Sequence, residues 1–447
     1  MTDLKPMMPR YEAYKDSGME LLGEIPVHWE PLSNKYIFKL KKILVGKKSS
    51  EYDLLSLTLN GIIKRDMENP EGKFPAEFDT YQEVSPGDFV FCMFDVEETP
   101  RAVGLSSFNG MITGAYTVFV PLSHYNKMFL YYFYLNLDSN KMMKPLYKGL
   151  RNTIPKDHFF DFQTFVPPTE EQTTIASFLD CKTEKIDKAV VIKEKQIQLL
   201  KERRQILIQT AVTKGLDPDV PMCDSGVEWI GEIPKHWGMK RLRLIGLTQN
   251  GISAGAEYFG SGYPFVSYGD VYNNRELPRS VKGLAESSIQ DRMHYSVMKG
   301  DVLFTRTSET VEDIGFTSVC MKTIEKATFA GFLIRFRPKS GLLEPGFSKH
   351  YFSSYMHRAY FVREMNLVTR ASLSQGLLKN LPVLLPPKDE QIAIYNYIQT
   401  QSAKIDKAIA IQEKMIERLK EYKATLINSV VTGKIKVPQI AETKAVA

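Results

Sequence analysis

Apolar residues recur with a four-three spacing along two long stretches of the chain. The first stretch follows Pro167-Pro168 and extends to about residue 213, and the second follows Pro386-Pro387 and extends to about residue 432. The apolar positions are Ile186, Val190, Ile197, Leu200, Leu207 and Ala211, then Ile405, Ile409, Ile416, Leu419, Leu426 and Val430. A heptad pattern of this kind predicts two long helices that pair along a seam, because a lone surface helix does not maintain so strict a spacing.

Polar residues interrupt this seam at matching places in the two stretches. Lys193 aligns with Gln412, and Arg204 aligns with Lys423. Polar residues at seam positions weaken a helix pair but can fix its register. The competing interpretation is that these long side chains simply extend to water. We predict a register role for all four.

Both stretches belong to a tandem repeat that extends over the whole chain. The motif Pro-Pro-x-x-Glu-Gln begins at Pro167 and again at Pro386. The motif Asp-Ser-Gly-x-Glu-x-x-Gly-Glu-Ile-Pro-x-His-Trp ends at Trp29 and recurs up to Trp237, where Met19 and Leu21-Leu22 become Val227 and Trp229-Ile230. The frame is therefore duplicated, while the segments inside it share only faint similarity. Each tryptophan segment could dock a partner or pack its domain against the base of a helix, and packing is favoured.

The segments inside the frame combine short β-type runs, turns and one aromatic-rich helix, which is typical of α+β domains. We therefore predict an α+β fold with two globular domains separated by two long helices. The helices form an antiparallel coiled coil, and the whole has an internal pseudo-two-fold repeat. The predicted boundaries are 1–29 (N-terminal repeat segment), 30–165 (first domain), 166–214 (first spacer helix), 215–237 (junction repeat segment), 238–385 (second domain), 386–433 (second spacer helix) and 434–447 (C-terminal tail).

Composition and charge leave many classes of soluble protein open. The 447 residues carry a net charge of +6, which permits nucleic-acid binding without demonstrating it. No apolar run approaches a membrane span, and the N-terminus lacks a signal peptide, so we expect a cytoplasmic protein. The four cysteines are scattered with no CxxC spacing, which argues against a zinc site or a disulfide framework.

Motifs for catalysis are missing from the sequence. It contains no Gly-x-x-x-x-Gly-Lys-Ser/Thr phosphate loop, and the histidines show no metal-ligand spacing. The run Phe259-Gly260-Ser261-Gly262 imitates a turn of S-adenosylmethionine-dependent methyltransferases, but Tyr263-Pro264 follows where a helix should open. We interpret it as a loop rich in glycine. We predict no catalytic, cofactor-binding or metal-binding residue.

The two repeated motifs and their order closely resemble the specificity subunits of Type I restriction–modification systems, over the whole chain. The resemblance implies a non-catalytic subunit in a bacterium or archaeon, with target-recognition domains at 30–165 and 238–385. Each domain would read one half of a bipartite, gapped site on double-stranded DNA. The helices would set the gap and dock two modification (methyltransferase) subunits. Restriction (translocase/endonuclease) subunits are further expected partners. S-adenosylmethionine, ATP and Mg²⁺ are expected on those partners, and no cofactor in this chain.

Base edges are read by arginine, asparagine, glutamine and tyrosine, and phosphates by lysine and arginine. Residues 238–382 contain 19 Lys and Arg against 12 Asp and Glu, a net charge of +7, whereas residues 30–165 contain 16 of each. Arg151 and Arg370 align in the two copies and are the strongest candidates. The full set of predicted DNA contacts is Lys64, Arg65, Arg101, Arg151, Asn152, Tyr268, Asn273, Arg275, Arg306, Arg370 and Gln375.

Two other functions are compatible with parts of the sequence. A coiled-coil scaffold that joins two protein partners without DNA recognition explains the helices and the duplication. It does not explain why the two interiors diverge while the frame stays constant. A self-contained methyltransferase is disfavoured because the catalytic motif that holds a flipped base is missing.

Overall fold

A computed structural model describes residues 9–19, 22–67, 77–308, 314–364 and 371–438. The chain forms two compact units. Unit 1 contains residues 1–194 and 414–447, and unit 2 contains residues 195–413. Each unit thus holds one globular domain together with parts of both long helices. The domain boundaries predicted from the sequence fall instead at the ends of those helices, and they stay a prediction.

The two predicted long helices are present, as Thr169–Lys214 and Lys388–Val431. In unit 1, the beginning of the first helix shares a hydrophobic core with the end of the second. In unit 2, the end of the first helix shares a core with the beginning of the second. The helices are therefore antiparallel, as predicted. The seam is also confirmed, because Ile186 is buried whereas its neighbours Val191 and Ile192 are 62% and 57% exposed.

The domain of unit 1 is built on a four-stranded antiparallel sheet, here called sheet 1. Its strands, in spatial order, are Phe38–Lys41, Thr117–Pro121, Phe89–Phe91 and Val103–Leu105. Aromatic rings from this sheet pack against the helix Lys127–Ser139, which carries the aromatic run seen in the sequence. The hydroxyl of buried Tyr134 lies 2.6 Å from both Asn34 Oδ1 and Thr164 Oγ1, so the core also contains a satisfied polar network.

The domain of unit 2 repeats this arrangement in sheet 2. Its strands are Gly246–Asn250, Leu333–Pro338, Val302–Thr305 and Thr317–Val319, in the same spatial order. The registers correspond as well: Phe119 lies opposite Leu40 in sheet 1, and Phe336 lies opposite Thr248 in sheet 2. The helix Pro345–Phe352 takes the place of the aromatic helix. The duplication seen in the frame therefore extends into the domains, although their sequences have diverged.

The first and last strands of each domain lie side by side. Glu30–Ser33 pairs with Gln163–Val166 in unit 1, and Gly238–Arg241 pairs with Pro382–Leu385 in unit 2, both antiparallel. The chain thus enters and leaves each domain at the same place. A segment with adjacent ends can be exchanged without moving the elements on either side.

The remaining elements are short and surround the two sheets. In unit 1 they are the strands Tyr14–Asp16, Glu24–Pro26, Leu55–Thr58, Gly61–Lys64, Gln82–Val84 and Gly110–Ile112, the helix Lys156–Asp161, and the 3₁₀ turns Asn34–Tyr36, Gly46–Glu51 and Lys144–Leu146. In unit 2 they are the strands Met222–Asp224, Glu232–Pro234, Phe259–Val266, Leu284–Ala285, Thr307–Ser308, Thr328–Phe329 and Ala371–Ser372, the helices Leu242–Ile245, Tyr268–Tyr272, Ile289–His294, Tyr355–Glu364 and Gln375–Asn380, and the 3₁₀ turn Ala256–Tyr258. Of the helices in the described ranges, none has the length and apolarity that a bilayer crossing requires.

Candidate functional site

The two repeated motifs bind each other in unit 1. Trp29 Nε1 donates a hydrogen bond to Glu171 Oε1 (3.2 Å), and His28 Nε2 lies 2.8 Å from Glu171 Oε2. The hydroxyl of Tyr11 donates to the same carboxylate at 2.5 Å, and burial together with this contact raises the pKa of Tyr11. Glu171 lies in the first turn of the first long helix, where the helix dipole also favours a negative charge.

Unit 2 contains the same junction. Trp237 Nε1 donates to Glu390 Oε2 at 3.0 Å, and His236 Nε2 lies 2.8 Å from that oxygen. The indoles are buried in both copies, with Trp29 0% and Trp237 6% exposed. Of the two roles considered for these segments, the structure therefore supports packing against the helix base.

The glutamine of each Pro-Pro-x-x-Glu-Gln motif ties its helix to the neighbouring domain. Gln172 and Gln391 each donate from Nε2 to the carbonyl of the first proline of their motif, at 2.9 Å in both copies. Their Oε1 atoms accept from the backbone N–H of Asn126 in unit 1 (2.9 Å) and of Glu344 in unit 2 (2.8 Å). The motif therefore fixes the tryptophan segment with its glutamate and the domain with its glutamine.

Glycines end both long helices at these junctions. Gly433 has φ +72°, and a Cβ there would lie 2.2 Å from Pro26 Cδ. Gly215 has φ +79°, and a Cβ there would lie 2.9 Å from Glu390 Oε1. A left-handed backbone this close to a neighbour admits only glycine without rearrangement.

Two of the four polar seam residues form ion pairs with the opposite helix. Arg204 Nη1 lies 2.6 Å from Asp406 Oδ1 in unit 2, and Lys423 Nζ lies 2.7 Å from both carboxylate oxygens of Asp187 in unit 1. Both aspartates lie in the sequence Lys-Ile-Asp-Lys-Ala, which begins at Lys185 and again at Lys404. Lys193 is half-buried, and Gln412 Oε1 is buried without a hydrogen-bond partner among the described residues.

Replacing all four polar seam residues by leucine is expected to stabilise the helix pair. Each half-exposed ion pair contributes about 0.2–1 kcal/mol, and a half-buried leucine contributes about 1 kcal/mol, so four leucines in place of two ion pairs give a net gain of roughly 2–4 kcal/mol. The melting temperature should therefore rise by a few degrees in calorimetry. The register should become less defined, because the charge pairs that select it are gone. The substituted residues are Lys193, Arg204, Gln412 and Lys423.

Spin labels at the exposed residues Lys185 and Glu421, both in unit 1, report the register as a distance distribution. The distribution should be narrow in the wild-type chain and broad in the leucine variant. A control variant carries leucine at four exposed lysines of the same helices, and its distribution should stay narrow. A lower melting temperature, or a distribution as narrow as in the wild type, would contradict the register role. The control positions are Lys188, Lys201, Lys407 and Lys420.

Three predicted DNA contacts of the first domain lie around the hairpin formed by the strands Leu55–Thr58 and Gly61–Lys64. Lys64 ends the hairpin, and its Nζ lies 2.6 Å from Asp53 Oδ2. Arg65 follows directly. Arg101 Nη2 donates to the carbonyl of Leu59 in the hairpin turn at 3.2 Å. The structure thus brings these three residues together, and their contact with DNA stays a prediction.

The other two predicted contacts of this domain lie on a separate loop. The guanidinium of Arg151 pairs with the carboxylate of Asp95, where Nε donates to Oδ1 at 3.0 Å, and this bond lowers the pKa of Asp95. Asn152 Nδ2 is 3.4 Å from Glu98 Oε1, and the residue has φ +43°. DNA would have to compete with these carboxylates for the loop.

In the second domain, three predicted residues lie near the end of sheet 2. The Tyr268 hydroxyl donates to the carbonyl of Thr307 at 3.0 Å, next to Arg306. Gln375 begins the short helix Gln375–Asn380, and its Nε2 donates to Asn250 Oδ1 at 3.0 Å. Arg306 and Gln375 are further connected through the backbone, because Leu373 N–H donates to the carbonyl of Arg306 at 2.7 Å.

The remaining predicted residues of this domain are placed differently. Asn273 Nδ2 donates to the carbonyl of Gly269 at 3.0 Å, which terminates a short helix. The carbonyl of Arg275 accepts from the backbone N–H of Val319 at 3.1 Å. Arg370 lies outside the described residues.

Two histidines and a glycine-rich run could have suggested metal binding or catalysis, but the fold explains both. Burial lowers the pKa of His350 to about 4 and that of His357 to about 3, so both are neutral at pH 7. Among the described residues, no group of three or more His, Cys, Asp or Glu could hold a metal ion. The glycine-rich run that we interpreted as a loop instead begins the strand Phe259–Val266, with φ +112° at Gly260 and +95° at Gly262. That interpretation was wrong, because glycine accommodates the irregular register of this strand.

Known proteins are similar to this chain over most of its length. Residues 234–421 match the family described as "Type I restriction modification DNA specificity domain". The EcoKI specificity subunit of Escherichia coli K12 is 25% identical over an alignment of 344 residues that covers 73% of this chain and 70% of that protein. The MjaVIII specificity subunit of Methanocaldococcus jannaschii is 24% identical over 329 residues, covering 72% of this chain and 74% of its own. Residues 234–421 thus carry the Type I specificity domain, and most of the chain is similar to Type I restriction–modification specificity subunits.

Solved structures of the specificity-subunit family have the same fold. A chain from a structure described as showing complex assembly and conformational transition of the type I R-M system covers 91% of this chain and 98% of its own, with a TM-score of 0.62 at 14% identity. The HsdS subunit from Thermoanaerobacter tengcongensis covers 92% of this chain and 98% of its own, with a TM-score of 0.55 at 15% identity. The predicted family and fold class are confirmed.

Sequence reasoning missed the contacts that residues of the duplicated frame make with one another. It identified the tryptophan segments and the Pro-Pro-x-x-Glu-Gln starts separately, but not that Glu171 and Glu390 bind the indoles. It also missed Asp187 and Asp406 as partners of the seam cations. The signal was present, because residues that recur together in both copies are candidates for mutual contact.

Proposed function

We propose that this chain is the sequence-specific DNA-binding subunit of a Type I restriction–modification enzyme. The main support for this proposal is that two domains with the same sheet order and register, but different side chains, are inserted in a duplicated frame. Each target-recognition domain, 30–165 and 238–385, reads one half of a bipartite site on double-stranded DNA. The long helices set the gap between the halves. A scaffold without DNA recognition is not favoured.

The chemistry of the enzyme belongs to other subunits in this proposal. Two modification subunits dock on the helices and bring S-adenosylmethionine, and restriction subunits bring ATP and Mg²⁺. This chain supplies recognition and geometry. The second domain contributes more of the salt-dependent affinity, because its net charge of +7 attracts phosphates whereas the first domain is balanced.

Genome-wide mapping of methylated adenines in the host, with and without this gene, tests the proposal. The wild-type host should show a motif of two specified halves separated by an unspecified gap, and the motif should vanish when the gene is deleted. Restoring the gene on a plasmid should restore the motif, which controls for effects on neighbouring genes. Identical methylation maps in the two strains would refute the proposal.

A further inference from the structure

A groove of about 530 Å³ opens at one end of sheet 1. It lies beyond Lys41, where the edge strand ends, among several loops of the first domain. Among the described residues that line it, the charged ones are Lys42 and Lys156, and both are exposed lysines. Its wall includes the rings of Phe94 and Tyr116, stacked with centroids 6.3 Å apart. The groove therefore attracts anions and offers flat apolar surface.

One backbone hydrogen bond holds the loops of this groove together, and it is repeated in the second domain. Ile154 N–H donates to the carbonyl of Met93 at 2.8 Å. Leu373 N–H donates to the carbonyl of Arg306 at 2.7 Å. Ile154 and Leu373 are separated by 219 positions, the same spacing as the Pro-Pro motifs. The same loops therefore meet at the same end of both sheets.

The strand registers identify the corresponding side chains at this end of sheet 2. Two residues beyond the matched pair Leu40 and Thr248, Lys42 corresponds to Asn250. By the spacing of 219, Lys156 corresponds to Gln375. The pairing of the central strands makes Ala115 correspond to Phe332, which is 64% exposed. The corresponding residues are Lys42, Met93, Ala115 and Lys156 in the first domain, and Asn250, Arg306, Phe332 and Gln375 in the second.

A shared backbone with changed side-chain chemistry distinguishes this end of the sheets from the frame. The tryptophan junctions keep their tryptophan, histidine and glutamate in both copies, as a structural joint requires. At the groove, lysine is replaced by asparagine or glutamine, and methionine by arginine. Gln375 also positions Asn250, because its Nε2 donates to Asn250 Oδ1 while its Oε1 accepts from Thr248 Oγ1 at 3.0 Å.

We propose that this end of each sheet is the DNA-reading surface of its domain. In the first domain, Lys42 and Lys156 bind phosphates on either side of the groove. In the second domain, Arg306 and Asn250 read base edges, since arginine pairs with guanine and asparagine with adenine in the major groove. Gln375 is a positioning residue for Asn250. The inference rests on the proposed function and names the residues that carry it.

Methylome mapping and duplex binding by the complete modification complex, reconstituted with full-length variants of this chain, test the surface. Arg306→Gln should relax one base position in one half-site, with binding to the cognate duplex about 5- to 150-fold weaker. Arg306→Lys should keep the charge yet relax the same position, because lysine lacks the bidentate fork. Lys42→Gln with Lys156→Gln should weaken binding to all duplexes and reduce the salt slope by about 2.

Lys35→Gln is the matched control, because Lys35 precedes the edge strand of sheet 1 whereas Lys42 follows it. It should leave the motif and the salt slope unchanged. If the wild-type chain yields a gapped motif but the groove variants behave like Lys35→Gln, the groove assignment is overturned and the proposed function stands. If no motif depends on the gene, both are overturned. Thermal melting of each complex verifies folding. If the Arg306→Gln variant does not assemble, the result for the Arg306→Lys variant tests the assignment instead.

Discussion

Trp29→Ala is expected to lower the free energy of unfolding of unit 1 by about 3–5 kcal/mol, the usual cost of truncating a fully buried tryptophan. The indole is 0% exposed and packs edge-on against Phe129, with ring centroids 6.1 Å apart. Its removal leaves a cavity and takes one donor from Glu171, whose side chain is 23% exposed. For a unit of this size the melting temperature should fall by roughly 6–20 °C.

Calorimetry of the full chain measures this effect, and the repeat supplies its own control. Trp237→Ala should shift the transition of unit 2 and leave that of unit 1 in place. Trp29→Phe retains an aromatic ring but loses the N–H, so it should cost less, about 1.5–3 kcal/mol for a hydrogen bond to a charged group. If the melting temperature shifts by less than about 2 °C in both alanine variants, the tryptophan junctions do not hold the frame together.

The frame could be predicted from the sequence because its signals are local and repeated. The heptad seam around Ile186 and Ile405 follows from spacing alone, and the glutamates after each Pro-Pro mark a helix start. The duplication then implied the antiparallel pairing. The structure confirms these elements, with helices at Thr169–Lys214 and Lys388–Val431.

The contacts of the frame could not be predicted, because they join residues far apart in the chain. Trp29 and Glu171 are 142 positions apart, and Asp187 and Lys423 are 236 apart. No periodicity connects such pairs. The DNA-reading residues are harder still, since loops without a regular pattern carry them. Sequence reasoning included Arg306 and Gln375 but not Lys42 or Asn250, whose position depends on strand register.

A chain with residues 238–385 in place of residues 30–165 is expected to read the same half-site twice. The two domains have the same sheet order and register, and each enters and leaves through a pair of adjacent antiparallel strands. The duplicated frame therefore allows the second domain to be connected in unit 1 in the same way as in unit 2. Because specificity resides in the domains, the half-site read by residues 30–165 should disappear from the motif.

The methylome of cells that carry this exchanged chain with its modification subunits tests whether each domain reads its own half-site. The wild-type chain, expressed in the same cells, defines the two original half-sites. We expect a new gapped motif in which the half-site of the second domain stands on both sides of the gap. An exchanged chain that assembles with its partners but still methylates the original motif, or changes both half-sites, would contradict it.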